Sequence, residues 1–279
     1  MKKQKISESA FLVNESRSRR TDISKDIYSH LWTNTKTKKL WDDFSKKVYS
    51  FDDIELSIRN RFFLEQLKLF VDNNSNPIFI NIAAGFTSYP FLLNKKCRYV
   101  EIDYKHIISY KNNMINKWIK EGLLPNRNII FLSTDLINIA EVNVLFRKLS
   151  EIINNSPSFI LLEGISYFLD EKSFNYIFKN CRDIQKTNSI LAFDFWQLKN
   201  KTQPVFKRLR NFFSEKFDFH LTKYNLFDSD YIKNIQGYDI IEINSVQELE
   251  KLYSNSDLLK DYNNILPENY AVLKRKKLH

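Results

Sequence analysis

Apolar runs alternate with amphipathic stretches through most of this chain, and each run stops at a small or acidic residue. The first starts at Ile78 and ends in the turn Ala83-Ala84-Gly85, and the second ends at Asp103. NIIFLS leads to Thr134, Asp135 and Leu136, FILLEGISYFL carries Glu163 and Gly164, and Ile190–Trp196 ends near Asp194. Helical patterns fill the intervals at 107–119, 139–153 and 171–187. This rhythm predicts an α/β fold with a mostly parallel, doubly wound sheet and helices on both faces. Ligands of such sheets bind outside the carboxyl ends of the strands, which is where Gly85, Asp103, Asp135 and Glu163 fall. An acid at a strand end is also a common helix N-cap, and for Asp135 alone that reading is adequate.

Glycine is scarce, four in 279 residues, and Gly85 sits where the first run stops. Together with Ala83 and Ala84 it allows a ligand to approach the backbone closely, and N–H groups at the start of a helix favour polar or anionic groups. Asp103 follows at close to the ~20 residues expected between a glycine turn and an acid that receives ribose hydroxyls. The spacing suggests a nucleoside ligand, although a run ending in small residues is also ordinary α/β scaffold.

Composition narrows the classes. Hydrophobic residues make up 43%, with 23 Phe and 14 Tyr, enough for a sizeable core. No apolar stretch approaches the ~20 residues needed to span a bilayer, and MKKQKISESAFLV lacks the apolar core of a signal peptide. Cys97 and Cys181 read as buried free thiols of a reducing cytoplasm, and no His/Cys spacing suggests a metal site. The net charge of +10 concentrates at Arg17–Lys47, Lys199–Lys216 and Lys274–Lys277. No nucleic-acid-binding signature accompanies it, so a solvated basic surface is favoured over a nucleic-acid partner.

Residues 1–50 lack strand patterns and read as a helical cap, with Tyr28, Leu31 and Trp32 on one face. Asp52 and Asp53 suit capping of the next helix, Ile54–Val71, whose Leu56, Phe63, Leu67 and Phe70 share a face and which carries Arg59 and Arg61. Residues 197–216 form a basic, amphipathic segment: a helical lid over the sheet edge, or an ordinary surface helix. A sixth strand at 239–243, a helix at 246–253 and a closing strand at 270–274 complete residues 51–279 as one unit, with no linker dividing it.

In this order, several segments resemble the leucine carboxyl methyltransferase family of class I S-adenosylmethionine-dependent methyltransferases, which includes bacterial natural-product O-methyltransferases. Asn60-Arg61 is similar to the family's arginine motif, NIAAG (Asn81–Gly85) to its NLGAG turn, VEID to its second-strand motif and Asp135-Leu136 to its third. LLEGISYFLDEKS (161–173) matches its EG-to-tyrosine segment, and GYDIIEINSVQELEKLY (237–253) its late strand and helix. The resemblance spans roughly 14–275 and implies a Rossmann-like class I methyltransferase domain at 51–279.

It further implies S-adenosylmethionine as cofactor, leaving S-adenosylhomocysteine, with no metal. Arg61 would hold the methionine carboxylate, Asn81, Ala83 and Gly85 the close turn, Asp103 the ribose, Asp135 and Leu136 the adenine, and Glu163 with Gly164 the amino group. Where the family continues its turn with an acid and then an arginine, Phe86, Thr87 and, further on, Leu92 stand here. The expected activity is O-methylation of a carboxylate or hydroxyl on a small molecule, an anionic one among the options. A carboxylate, with a pKa of ~4, needs no general base. Tyr167 is the leading catalytic and substrate-side candidate, followed by Tyr89 and Trp196. Arg17, Arg19 and Arg20 suit an anionic acceptor or, as a cluster, simply a solvated face. The alternatives are a nucleic-acid methyltransferase, motivated by the charge, and an inactive cofactor-binding protein, motivated by the altered turn.

Overall fold

In the computed structural model of the chain, residues 8–93, 96–217, 225–227, 229–261, 264–266 and 268–277 are described. Residues 1–7, the start of the expected helical cap, lie outside them. Seven strands, β1 (Ile78–Ile82), β2 (Arg98–Asp103), β3 (Ile129–Ser133), β4 (Ser158–Leu162), β5 (Ile190–Trp196), β6 (Tyr238–Ser245) and β7 (Glu268–Arg275), form one sheet. Their order is β3-β2-β1-β4-β5-β7-β6. The first five run parallel, with Ile80 opposite both Val100 and Ile160. β7 is antiparallel to β5 and to β6, so Glu268 lies opposite Trp196 at the carboxyl edge of β5.

Strand side chains alternate between the two faces. Ile78, Ile80, Ile160, Leu162 and Phe193 join the core under α7 (Ile139–Ile153) and α8 (Glu171–Ile184). Phe79, Phe159, Leu161, Ala192 and Tyr270 face α4 (Asp52–Asp72) on the other side. Local signals fix the helix starts: Asn138 accepts from the Ala140 and Glu141 N–H groups, and Asp170 from that of Ser173.

Helix α4 departs from the expected pattern. It packs against α1 (Glu8–Arg19), α2 (Thr21–Ser24) and α11 (Val246–Tyr253) as well as the sheet side, so Glu55, Ser57, Arg59 and Asn60 are buried along with its apolar face. Neither Asp52 nor Asp53 is its N-cap. That position is Phe51, without a side-chain cap, and Asp52 instead turns inward to accept a hydrogen bond from the Ser16 hydroxyl at 2.6 Å. Between Arg19 and Asp52 lie α2, a 3-10 turn at Ser29–Trp32 and α3 (Thr35–Lys47), which Asn34 and Thr37 start with a capping box.

A third core joins this amino-terminal region to the sheet. Phe86, immediately after the glycine turn, stacks on Trp32 at 4.5 Å and packs on Phe11 at 4.6 Å and Tyr110 at 5.7 Å. Trp118 of α6 (Lys105–Lys120) closes the far side edge-on to Trp32 at 4.5 Å. The residues that replace the family's charged pair therefore make an apolar bolt: Phe86 is buried, and the Thr87 hydroxyl accepts from Asn81 and donates to the Ala84 carbonyl. Phe86→Ala should lower the unfolding free energy by about 3–5 kcal/mol, seen as a lower urea midpoint with an unchanged slope.

Candidate active site

A cavity of about 510 Å³ lies over the carboxyl ends of the parallel strands. Gly85 after β1, Asp103 of β2, Thr134 after β3 and Glu163 after β4 reach it in turn, while α1, α4 and α9 (Pro204–Phe217) form its other walls. The volume is that of a site for a drug-sized ligand.

On the β1–β3 side, the backbone turns sharply beside the cavity. Ala83 and Gly85 have φ of 59° and 45°, in the left-handed region that glycine enters freely and a residue with a Cβ only at a cost. Gly85 N–H donates to Asp103 Oδ2 at 2.8 Å and Tyr104 N–H to Oδ1 at 2.7 Å, which locks the carboxylate at the rim with lone pairs to spare. Burial raises the proton affinity of Asp103, and these two N–H bonds oppose it. Beneath the turn, Lys111 is fully buried with its ammonium 2.6 Å from Glu101 and 3.5 Å from the Ala84 carbonyl.

On the β4–β7 side, a guanidinium organises the wall. Arg59 of α4 donates to Glu163 at 3.1 Å, Asp194 at 3.2 Å and Glu268 at 3.0 Å, three carboxylates from neighbouring strand ends. Arg17 of α1 lies 3.7 Å from Glu163 and donates to Asn14 and Asn60, both at 3.0 Å. Burial raises Asp194 and Glu268, with Arg59 pulling each back down. Gly164, at φ 71°, donates its N–H to Asp194 at 2.7 Å, and a Cβ there would meet the Arg59 guanidinium.

Deeper in, the wall is acidic and aromatic. Asp52, Glu55 and Glu268 line it beside Tyr49 and Tyr167. Tyr167 stacks on Trp196 at 3.9 Å with the two ring planes nearly parallel, and its hydroxyl lies 3.4 Å from both Arg59 and Glu268. Burial raises Glu55 well above the usual carboxylate range, with Glu268 adding to the effect. The Tyr49 hydroxyl donates to Glu55.

Nine residues expected from the sequence line this cavity: Arg17, Ala83, Gly85, Asp103, Leu136, Glu163, Gly164, Tyr167 and Trp196. Five do not. Arg61 points away, paired with Glu65 at 2.9 Å on the next turn of α4, because it lies off the helix face that Arg59 shares with the core. Asn81 is buried under the turn, holding Thr87 at 2.8 Å. Asp135 accepts from the Ile137 N–H at 3.1 Å, a local turn contact. Tyr89 stands behind the wall, donating to Glu163 at 2.7 Å, and Arg20 pairs with Asp22 at the surface. The sequence reading missed Arg59, Asp52, Glu55 and Glu268. Arg59 had a signal: it is three residues beyond Leu56 and four before Phe63, on the buried stripe.

Among the described residues, no group of His, Cys, Asp and Glu is arranged to hold a metal, and no helix is long and apolar enough to cross a membrane.

A seven-stranded sheet in this order, with a reversed seventh strand and a cavity at the carboxyl edge of its parallel half, is the class I methyltransferase architecture. Solved structures share it: a DUF574 family protein from Streptomyces avermitilis, at TM-score 0.65 and 14% identity over 96% of this chain and 97% of that one, and a candidate methyltransferase from Thermobifida fusca, at 0.63 and 12% over 96% and 94%. At these identities the likeness is one of fold. No curated protein sequence matches the chain. The family model for leucine carboxyl methyltransferase matches residues 9–182, more than half of the sequence. The chain belongs to the leucine carboxyl methyltransferase family, and by family and fold it is an S-adenosylmethionine-dependent methyltransferase.

The inward turn of Asp52 has a measurable consequence. Burial raises its carboxyl from 3.8 to about 6, so the folded chain binds a proton in that interval that the unfolded chain has released. Its contribution to stability therefore falls as pH rises from about 4 to about 6 and stays low above that. Asp52→Asn removes this dependence while keeping a partner for Ser16. The stability difference between variant and parent should shift in favour of the variant between pH 4 and pH 7, by up to ~3 kcal/mol, measured by thermal unfolding across that range.

Proposed function

We propose that the protein methylates an oxygen, a hydroxyl in preference to a carboxylate, on a small molecule held in the inner, acidic half of the cavity. The cofactor half of this reading rests on one observation above others: Arg17 is buried and lines the cavity, and its Nε has no hydrogen-bond partner among the described residues. A buried donor left unpaired costs about 1–3 kcal/mol, and a carboxylate is the group that best satisfies a guanidinium. The methionine carboxylate of S-adenosylmethionine is such a group. Thr134 Oγ1 is a second buried orphan on the wall, next to Leu136, where the adenine would lie. Asp103 retains acceptor capacity for ribose hydroxyls, and Glu163 for an ammonium group.

When bound, this cofactor supplies a methyl group on a sulfonium whose sulfur leaves as a neutral thioether. The chain's part is to align the acceptor and keep water out. Tyr167, raised well above its ordinary value chiefly by burial, remains a phenol and acts as a hydrogen-bond donor that orients the acceptor, backed by Trp196. A hydroxyl must lose its proton on methylation, and Glu268, beside Tyr167 on the cavity wall, is the carboxylate positioned to take it. The preference for a hydroxyl follows from charge. Arg59 is already shared by three carboxylates, and Asp52 and Glu55 have no cation at ion-pair distance among the described residues. A carboxylate acceptor would find no cation left among the described residues to pair with it, a partner that a neutral hydroxyl does not need.

Calorimetry with S-adenosylhomocysteine tests the cofactor half. Asp103→Ala and Arg17→Ala should each weaken binding about tenfold or more, the ~1.4 kcal/mol of a lost charge-assisted contact, whereas Arg61→Ala should leave it within about twofold. Unchanged binding by Asp103→Ala would sink this reading. For the chemical half, tritiated methyl transfer is followed to matched phenols and benzoic acids. The phenols should be methylated, and Glu268→Gln should slow turnover by about 10²–10⁴-fold while retaining cofactor affinity. Tight cofactor binding with transfer to no acceptor in either series would favour an inactive binding protein.

A further inference from the structure

The inner end of the cavity holds more carboxyl groups than its cations can pair. Asp52, Glu55, Glu163 and Glu268 line the wall, with Asp194 directly behind it, against two guanidinium groups, Arg17 and Arg59. Arg59 is taken up by Glu163, Asp194 and Glu268, and Arg17 lies nearest Glu163. That leaves Glu55 and Asp52, both on the first turn of α4 and both buried. Between them they have two hydroxyl donors from the protein, Ser16, which donates to Asp52, and Tyr49, which donates to Glu55 and lies beside Asp52 as well. The second oxygen of Glu55, Oε1, is buried and has no partner among the described residues, in a side chain that is only 1% exposed.

We infer that the acceptor carries a cation, of the ammonium type, and that Glu55 and Asp52 receive it at the closed end of the cavity while its nucleophilic oxygen lies toward Tyr167 and Glu268. This inference rests on the small-molecule methyltransferase reading above. The bland account of Glu55 is a neutral carboxylic acid buried in the core. Burial does hold Glu55 in that form before a ligand binds, and what the bland account leaves unexplained is Oε1, buried on the cavity wall with no partner among the described residues. An ammonium, which has three donors and no acceptor, is complementary to a site that offers carboxylate oxygens and one orphan acceptor. The surrounding rings suit it too: Tyr49, Phe44, Tyr167 and Trp196 line the same space, and a desolvated cation is attracted to aromatic faces. Burial keeps Glu55 protonated until an opposite charge arrives, so the amine's arrival should release a proton from the chamber.

The test is calorimetry on the full chain loaded with S-adenosylhomocysteine, using three probes with one phenol ring: tyramine, 4-ethylphenol and 3-(4-hydroxyphenyl)propionate. Tyramine should bind at least about tenfold more tightly than neutral 4-ethylphenol, with the propionate weakest, and its apparent enthalpy should depend on the buffer's ionisation heat as a proton is released. Glu55→Gln should reduce the tyramine preference about tenfold and abolish the buffer dependence while keeping S-adenosylhomocysteine affinity. Asp52→Asn provides the same comparison if Glu55→Gln does not fold. Propionate or ethylphenol binding as tightly as tyramine, a preference that survives both variants, or no binding of tyramine would each overturn the proposal. A protein that prefers tyramine yet fails to bind S-adenosylhomocysteine would keep the cation site and sink the cofactor reading, so the two failures are distinct.

Discussion

The Arg59 guanidinium lies among Glu163, Asp194 and Glu268, the first just after β4, the second two residues before the end of β5 and the third at the start of β7. Three carboxylates brought to one dry edge repel one another strongly, so the edge can exist in this form only with a cation between them or with protons on some of them. The protein uses both, for Asp194 and Glu268 are raised by burial even with Arg59 beside them. Removing one partner of a buried ion pair typically costs ~3–5 kcal/mol, so Arg59 ties helix α4 to β4, β5 and β7 as firmly as any apolar contact. Its place on α4 also explains why that helix is polar on its buried side. Its solvent side, with Arg61, Glu65 and the exposed Leu69, is separate from the face wedged between the amino-terminal region and the sheet, where Glu55, Arg59 and Asn60 lie.

The second fixed point is the turn after β1. Ala83 and Gly85 take left-handed dihedrals beside the cavity, Asp103 is held by two backbone N–H groups, and Lys111 with Glu101 fills the space below. Phe86 anchors the same turn to Trp32 and Phe11. In place of an ion pair the chain has an aromatic cluster, which couples the geometry of the turn to the docking of the amino-terminal helices. That segment also contributes Arg17 and Ser16, so one contact serves both the glycine turn and the wall that faces it.

These two anchors show how far the sequence could be read. The strands, their parallel order and the small or acidic residues at their ends were legible, because each run has its own period and its own terminator. Arg59 was legible in principle: it repeats the spacing of Leu56, Phe63, Leu67 and Phe70, whereas Arg61, to which motif likeness drew attention, does not and points away from the cavity. Glu268 was not legible. It matters because β7 runs backwards, so that its first residue, not its last, meets the cavity, and no local pattern announces the direction of a strand. Asp52 carried an equally local reading as a helix cap, and what turns it inward is Ser16, thirty-six residues earlier. Phe86 gains its meaning from Trp32 and Trp118, contacts set by the fold and absent from the turn's own sequence.

The charge of the whole and the charge of the site have opposite signs. The chain carries +10, yet the cavity wall is acid-rich. Its cationic excess therefore lies outside the cavity, on side chains such as Lys36, Lys38 and Lys39 that are exposed to solvent. Fields from exposed charges fade within a Debye length of ~8 Å at physiological salt, so the surface charge affects encounter but has little hold on a group buried among Glu55, Asp52 and Glu268. Inside, where water is excluded, the same carboxyl groups act at much lower effective dielectric. Under the proposed reading, selection of the acceptor rests with the acids of α4 and β7 on the cavity wall, and net charge alone points to the opposite kind of ligand.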